Sequence, residues 1–342
     1  MSADTTSAIF PRAPVRAGMY ESFYLRAVAP DQPLGAWIRH TVHKPPGQRA
    51  RGSVWCTVFD ARRGAPFMHK LTTDGLAVPE GGWIAVTGAG PDASTPQTGE
   101  QGAYMAPGRA QGRCGPASWS LRWSSEEPEL RHLGRELLYR SPVPRTKLTS
   151  PAPRASFSGT IAVEGGATSE LHEWPGMVGH NWGSEHAERW IWLHAVDFAQ
   201  APEAWLDIAL GRVKVAGLIT PWIANGGLSL GGHRYRVGGL GARGCDVRES
   251  VEGCVVRVAG ERGLTLEVRV TVPSGTAAGW RYADPDGSGH DVVNCSIAGV
   301  ELDVRVPGET GARALRSAHG GAYELGMRER DHGVPLAPFA DG

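Results

Sequence analysis

Residues 180–186, His-Asn-Trp-Gly-Ser-Glu-His, gather polar side chains around a glycine, and His194 follows shortly after. A glycine in this setting marks a tight turn or bulge, a device that aims side chains at one point. An imidazole or carboxylate beside apolar rings has an environment-dependent pKa, and proton transfer by His180, Glu185, His186 or His194 needs no cofactor. A metal reading fits less well. H-x5-H with His194 beyond it is not an established zinc spacing and H-E-x-x-H is absent, so no metal and no cofactor are expected. A polar cluster that only stabilises a turn is the alternative.

Aromatic residues crowd the same stretch. The chain holds 12 Trp against 7 Tyr and 7 Phe, and Trp174, Trp182, Trp190 and Trp192 fall in one window. Period-two alternation from Arg189 puts Trp190, Trp192, His194, Val196 and Phe198 on one strand face, with Ile191, Leu193, Ala195 and Asp197 on the other. Two indoles, an imidazole and a phenyl ring suit an apolar cavity with one polar contact. They equally suit the packed core of a small closed barrel. The first reading makes this face the lining of the principal cavity, with Asn181, Glu185 and His186 at its edge. Asn181 or Glu21 would supply the hydrogen bond that a buried His194 needs. Tyr24 and Trp37, on earlier strands, are further candidate ligand contacts.

The elements that must position these groups are strands. Short alternating runs at Tyr20–Arg26, Leu34–His43, Ser53–Asp60, Phe67–Thr72 and Trp83–Thr87 are each bounded by Gly, Pro or Asp. Residues 88–111 read as a polar loop, and a closing strand carries Trp119, Leu121 and Trp123. Ser124 as cap, Glu127 three residues on, and Leu130, Leu133 and Leu137 at helical spacing predict one helix to Arg140. The Pro-rich run after it reads as a semi-rigid connector. A second series of strands follows. The fold expected is therefore all-β: two antiparallel barrels or curled sandwiches in tandem, with one short connecting helix. The boundaries are a disordered 1–14, a first unit 15–125, a helix and linker 126–155, a second unit 156–330 and a tail 331–342.

Asn181-Trp182-Gly183 followed by Trp190-Ile191-Trp192 resembles the central motif of the tocopherol cyclase family, and Glu21-Ser22-Phe23 is similar to that family's N-terminal patch. The wider group includes carotenoid hydratase-like and other tandem lipocalin-like proteins. The resemblance implies two lipocalin-like units with a ligand cavity. It also implies a cofactor-free reaction, ring closure, hydration or isomerisation, on a prenyl, polyene or polyketide-type substrate.

Composition narrows the partners. Lys+Arg 35 balance Asp+Glu 35, so the broad basic field that nucleic acid or an anionic membrane requires is missing. Five scattered cysteines without C-x-x-C argue against a disulfide framework or a zinc knuckle. No apolar run reaches the length of a signal peptide core or membrane span, which points to a soluble cytoplasmic protein. Walker, G-x-S-x-G and dinucleotide-binding motifs are absent. Asp284, Asp286, His290 and Asp291 (DPDGSGHD) read as a solvated turn, and Arg39, His40 and His43 could face the cavity, though exposed strand positions are the commoner explanation for such residues. Two readings remain: an enzyme that folds an apolar substrate and moves a proton, or a non-catalytic carrier of a lipid or pigment in the same cavity.

Overall fold

The computed structural model describes residues 7–87, 100–215, 217–239, 245–328 and 332–339. It is nearly all β, 62% strand and 4% helix, in two antiparallel curled sheets. The first sheet takes β1 (Met19–Val28), β2 (Leu34–Lys44), β3 (Arg51–Asp60), β4 (Phe67–Thr73), β5 (Gly75–Ala77) and β6 (Ile84–Thr87). It continues with β7 (Gly102–Ala106), β8 (Arg109–Cys114), β9 (Ala117–Ser124), β10 (Leu130–Arg131), β11 (Thr146–Val163) and β12 (Ser169–Gly183). Its order is β4-β3-β2-β1-β12-β11-β9-β8-β7-β6-β5. Only Asp74 separates β4 from β5, the two edge strands, so the sheet must curl until its edges nearly meet.

The second sheet begins with β13 (Arg189–Ala195) and β14 (Trp205–Arg212), after which β15 (Lys214–Val215) and β16 (Leu218–Ile219) form a separate ribbon. It resumes with β17 (Ile223–Leu230), β18 (His233–Gly238), β19 (Asp246–Ser250), β20 (Gly253–Ala259) and β21 (Thr265–Thr271). It ends with β22 (Ala278–Ala283), β23 (Gly289–Arg305) and β24 (Arg313–Met327). The order is β18-β17-β14-β13-β24-β23-β21-β20-β19, with β22 on β23.

Three expectations need correction. The helix is only Glu136–Arg140, with no side-chain cap, and Leu130 lies in β10. The Pro-rich run from Thr146 is not a linker but the start of the long strand β11. Its prolines are tolerated because the pairing with β12 is broken by register shifts between Thr149 and Ala155. The first sheet consequently runs to Gly183, well past residue 125, since β12 pairs with β1 and β11. The polar loop expected at 88–111 lies partly outside the described residues, and its remainder contributes β7 and β8.

Every residue of β1 is buried, which a barrel strand with one wet face could not be. Phe23, Leu25 and Ala27 point into the first core with Ile38, Val54, Phe157 and Val178. The alternate residues face the second unit: Tyr24 packs with Met177, Trp192 and Ala322, and Val28 joins the second core. Trp37, Trp55 and Phe59 of β2 and β3 also belong to the second core, beside Trp280. The two units thus share a buried seam. Among the described residues no helix is long and apolar enough to cross a membrane, and all five cysteines are free.

Candidate functional site at the seam between the units

At one end of the seam lies a cavity of about 20 Å³ lined by Tyr20, Arg39, Thr41, His43, Trp55, His186, Tyr282 and Ala283. The lining comes from the outer face of β1–β3, the connection between β12 and β13, and β22. His186 is fixed by two bonds to Asp284 Oδ1, from its backbone N–H at 2.9 Å and from Nδ1 at 2.6 Å. Its ring stacks on Tyr20 at 3.9 Å and on Trp190 at 5.2 Å. Its Nε2 is buried without a hydrogen-bond partner. Burial alone would raise the Asp284 carboxyl, but the bonds and charge of His186 carry it below the usual carboxylate range. His290 is fully buried beside them, and desolvation, then repulsion from His186, holds its imidazole down at about 4.

Behind the cavity sits a second polar anchor. Glu324 accepts from Trp190 Nε1 and Tyr282 Oη, both at 2.9 Å, and from Asn294 Nδ2 at 3.3 Å. The Arg39 guanidinium lies 4.1 Å over the Tyr282 ring. Burial pushes the Tyr20 and Tyr282 hydroxyls well above their ordinary range, so both stay protonated and donate. Arg39 and His40 are buried, and so are Asp284, His290 and Asp291. The exposed strand positions expected here are not found: the opposite unit covers Arg39, His43 is half-buried, and His40, opposite Phe23, faces the first core, whereas of the expected turn Asp286 is exposed.

The aromatic strand face divides as its period predicts as far as Ala195, but it faces the seam rather than a lumen. Ile191, Leu193 and Ala195 fill the interior of the second sheet, while Trp192 meets Tyr24 edge-on at 5.4 Å. Asp197 has φ 59, which breaks the alternation. With β13 ending at Ala195 and the chain turning at Asp197, Val196 and Phe198 also join the second core.

His194 does not line this cavity. An arginine can only donate and a carbonyl can only accept, so Nδ1 takes Arg26 Nη1 at 2.8 Å and Nε2–H goes to Pro153 O at 2.8 Å. No ring nitrogen is left for a substrate. Desolvation, then the Arg26 charge, depresses its pKa to about 3.

The other expected residues scatter. His180 Nε2 bonds Glu21 Oε1 at 2.8 Å inside the first barrel, and Glu21 also accepts from Ile9 N and Phe10 N. That carboxylate orders residues 7–12, which were expected to be disordered. Asn181 accepts from Ser22 Oγ, and Glu185 pairs with Arg145 and Arg328. Trp174 is in the first core, Trp182 flanks His180 at 4.6 Å, and Trp37 is in the second core. Of the expected set, the cavity gathers His186, backed by Trp190, with Glu21 at its margin. Arg39 and His43, which could face the cavity, line it, while Tyr20, Trp55, Tyr282, Asp284, His290 and Glu324 are not among the expected site residues. Only the DPDGSGHD run carried a readable signal.

The chain matches no model of a known protein family. It is 26% identical over 343 residues to the uncharacterized protein Rv0493c of Mycobacterium tuberculosis strain H37Rv, spanning 95% of this chain and 91% of that one. Solved structures share the fold. CghA superposes with TM-score 0.60 at 13% identity, over 95% of each chain, and has also been solved with Sch210972. An AttH-like protein of Nitrosomonas europaea gives TM-score 0.53 at 14% identity, over 96% of this chain and 98% of that one. Kievitone hydratase of Nectria haematococca gives 0.52 at 7%, over 96% and 95%. At these identities the likeness is one of fold.

Proposed function

We propose that the protein is a cytoplasmic enzyme of the cyclase, hydratase or isomerase class, acting on a largely apolar small molecule bound at the seam. The observation that carries this reading is the convergence, on one interunit cavity, of aromatic walls with buried polar groups. Tyr20, Trp55 and Tyr282 supply the walls; Arg39, Thr41, His43 and His186 supply the polar contacts. Such a lining folds an apolar chain while holding one oxygen, and aromatic faces stabilise developing positive charge. The fold shared with a hydratase is consistent with this reading.

At about 20 Å³ the cavity holds a water-sized body, so a prenyl or polyene substrate enters by parting the Tyr20–Trp55 wall from Tyr282. A larger groove on the second sheet, about 550 Å³, is lined by charged residues such as Asp246, Arg257, Glu267 and Arg305 together with Val258, Leu266 and Ala312, but it lacks aromatic walls.

The test is extraction of the ligand that co-purifies with the protein, followed by incubation of related prenyl and polyene compounds with wild type and with Arg39→Met. An isomer or a hydrated product formed by wild type and lost in the variant supports the reading. A ligand bound and released unchanged by both proteins replaces it with a carrier.

A further inference from the structure

We propose that His186, Asp284 and His290 form a binding site for a divalent transition-metal ion. They arrive from three segments: the connection between β12 and β13, the turn after β22, and β23. One ligating atom from each lies within 4.8 Å of the other two. Metal bonds of roughly 2.0–2.2 Å set ligand atoms about 3–4 Å apart, so closure asks for a shift of about an ångström.

The independent observation is His290 itself. Its side chain is fully buried, yet neither ring nitrogen makes a hydrogen bond of normal geometry. Its polar contacts are Asp284 Oδ2, at 3.6 Å, and the backbone of Ala187, and its ring lies 5.1 Å from that of Trp190 and 5.7 Å from that of His186. His186 Nε2 is buried and unpartnered as well. Buried imidazole nitrogens without partners are uncommon and costly. A metal ion held with Asp284 satisfies a His290 nitrogen, and at His186 it takes the place of the proton that Nδ1 now shares with Asp284 Oδ1.

The surroundings fit. Ser288 Oγ reaches Asp284 Oδ2 at 3.3 Å, and the His186 backbone N–H reaches Oδ1, which is the outer support that ligating carboxylates use. Arg328, the neighbouring cation, is held by Glu185 at 3.2 Å and Glu188 at 3.1 Å and also lies 3.8 Å from Asp284 Oδ2, a place that the ion would contest. Two imidazoles and one carboxylate select zinc, cobalt, nickel or ferrous iron over magnesium or calcium. Three protein ligands also leave a coordination position open, as in catalytic rather than structural sites. Because His186 lines the cavity, an ion there would polarise a substrate oxygen or activate water. That consequence rests on the proposed function; metal binding itself does not.

The experiment uses the full chain, stripped with chelator and titrated with Co2+ alone, read by d–d absorption and by elemental analysis after gel filtration. One equivalent is expected, with bands of a nitrogen–oxygen ligand set. Saturable binding should vanish in His290→Gln and Asp284→Asn but persist in a variant of the exposed His172. Substoichiometric cobalt in the wild type, or unchanged bands in His290→Gln, overturns the site. Should the variants misfold by circular dichroism, histidine-to-cobalt contact shifts in the NMR spectrum of the wild type decide instead. Two shifted imidazoles support the site, and none overturns it. Metal bound without substrate turnover would sink the proposed function and leave this site standing.

Discussion

Replacing His194 by glutamine should flatten the acid side of the stability curve while leaving the cavity untouched. In the folded protein the imidazole titrates near 3, against an ordinary value of 6.5, because it is desolvated and faces Arg26. Between those two values the unfolded chain binds a proton that the folded chain refuses. Stability therefore falls as pH drops below 6.5, by up to about 1.4 kcal/mol per pH unit. From pH 7 to pH 4.5 this single ring accounts for a loss of about 2–3 kcal/mol. Glutamine offers an acceptor for Arg26 and a donor for Pro153 O but does not titrate, so it removes the dependence at a cost of about 1 kcal/mol at pH 7. His40, also held at about 3 by burial, is unchanged in both proteins and cancels in the difference. Asp207, whose carboxyl lies below its ordinary 3.8, contributes stability that is lost only as pH falls through that lower value, outside the window. Urea unfolding of wild type and His194→Gln at pH 7 and 4.5 measures the difference directly. Parallel losses in the two proteins would refute the reasoning, as would a variant that folds normally but loses all ligand conversion.

Three further perturbations test the seam and its supports. Asp207 accepts from His132 Nε2 at 3.1 Å, Trp192 Nε1 at 3.0 Å and Ser150 Oγ at 2.5 Å. Asp207→Ala orphans all three donors and should cost about 3–5 kcal/mol in denaturant unfolding with the m-value unchanged. A Cβ at Gly326 would collide with the Trp190 indole, so Gly326→Ala should shift tryptophan emission and destabilise by about 1–3 kcal/mol. Glu21→Ala removes the acceptor that holds Ile9 and Phe10, and limited proteolysis should then cleave ahead of Met19 much faster than in wild type.

The all-β architecture and most strands were legible because period two and turn residues are local signals. The helix failed for a local reason as well: Leu130, Leu133 and Leu137 keep helical spacing, but Leu130 pairs across to Ser150 and Leu137 is exposed. Pairing with β11 won over a weak helical pattern. The first unit's true end escaped because β12 returns to pair with β1, a contact of about 160 residues' separation that no short window contains. The alternation of Trp190, Trp192 and His194 was read correctly as a shared face; what the sequence could not tell was which of two buried environments that face meets.

That ambiguity has a physical root. In an isolated barrel the outward face is polar, so an aromatic face is assigned inward by default. Here two barrels lie against each other and the outward faces of β1, β2, β3 and β13 become a second interior, with its own rings and its own buried charges. Arg26 shows the consequence: it sits on a strand whose ten residues are all buried, desolvation lowers its pKa to about 9, and it is held by His194, Gly320 O and Ser296 O from the opposite unit. A charged residue in an apolar strand reads as an exposed face in a single sheet and as a partner-seeking group in a seam. The histidines divide by the same rule. At the seam, His194, with both ring nitrogens bonded, holds the units together, whereas His186 and His290, with nitrogens left over, are where it can bind something else.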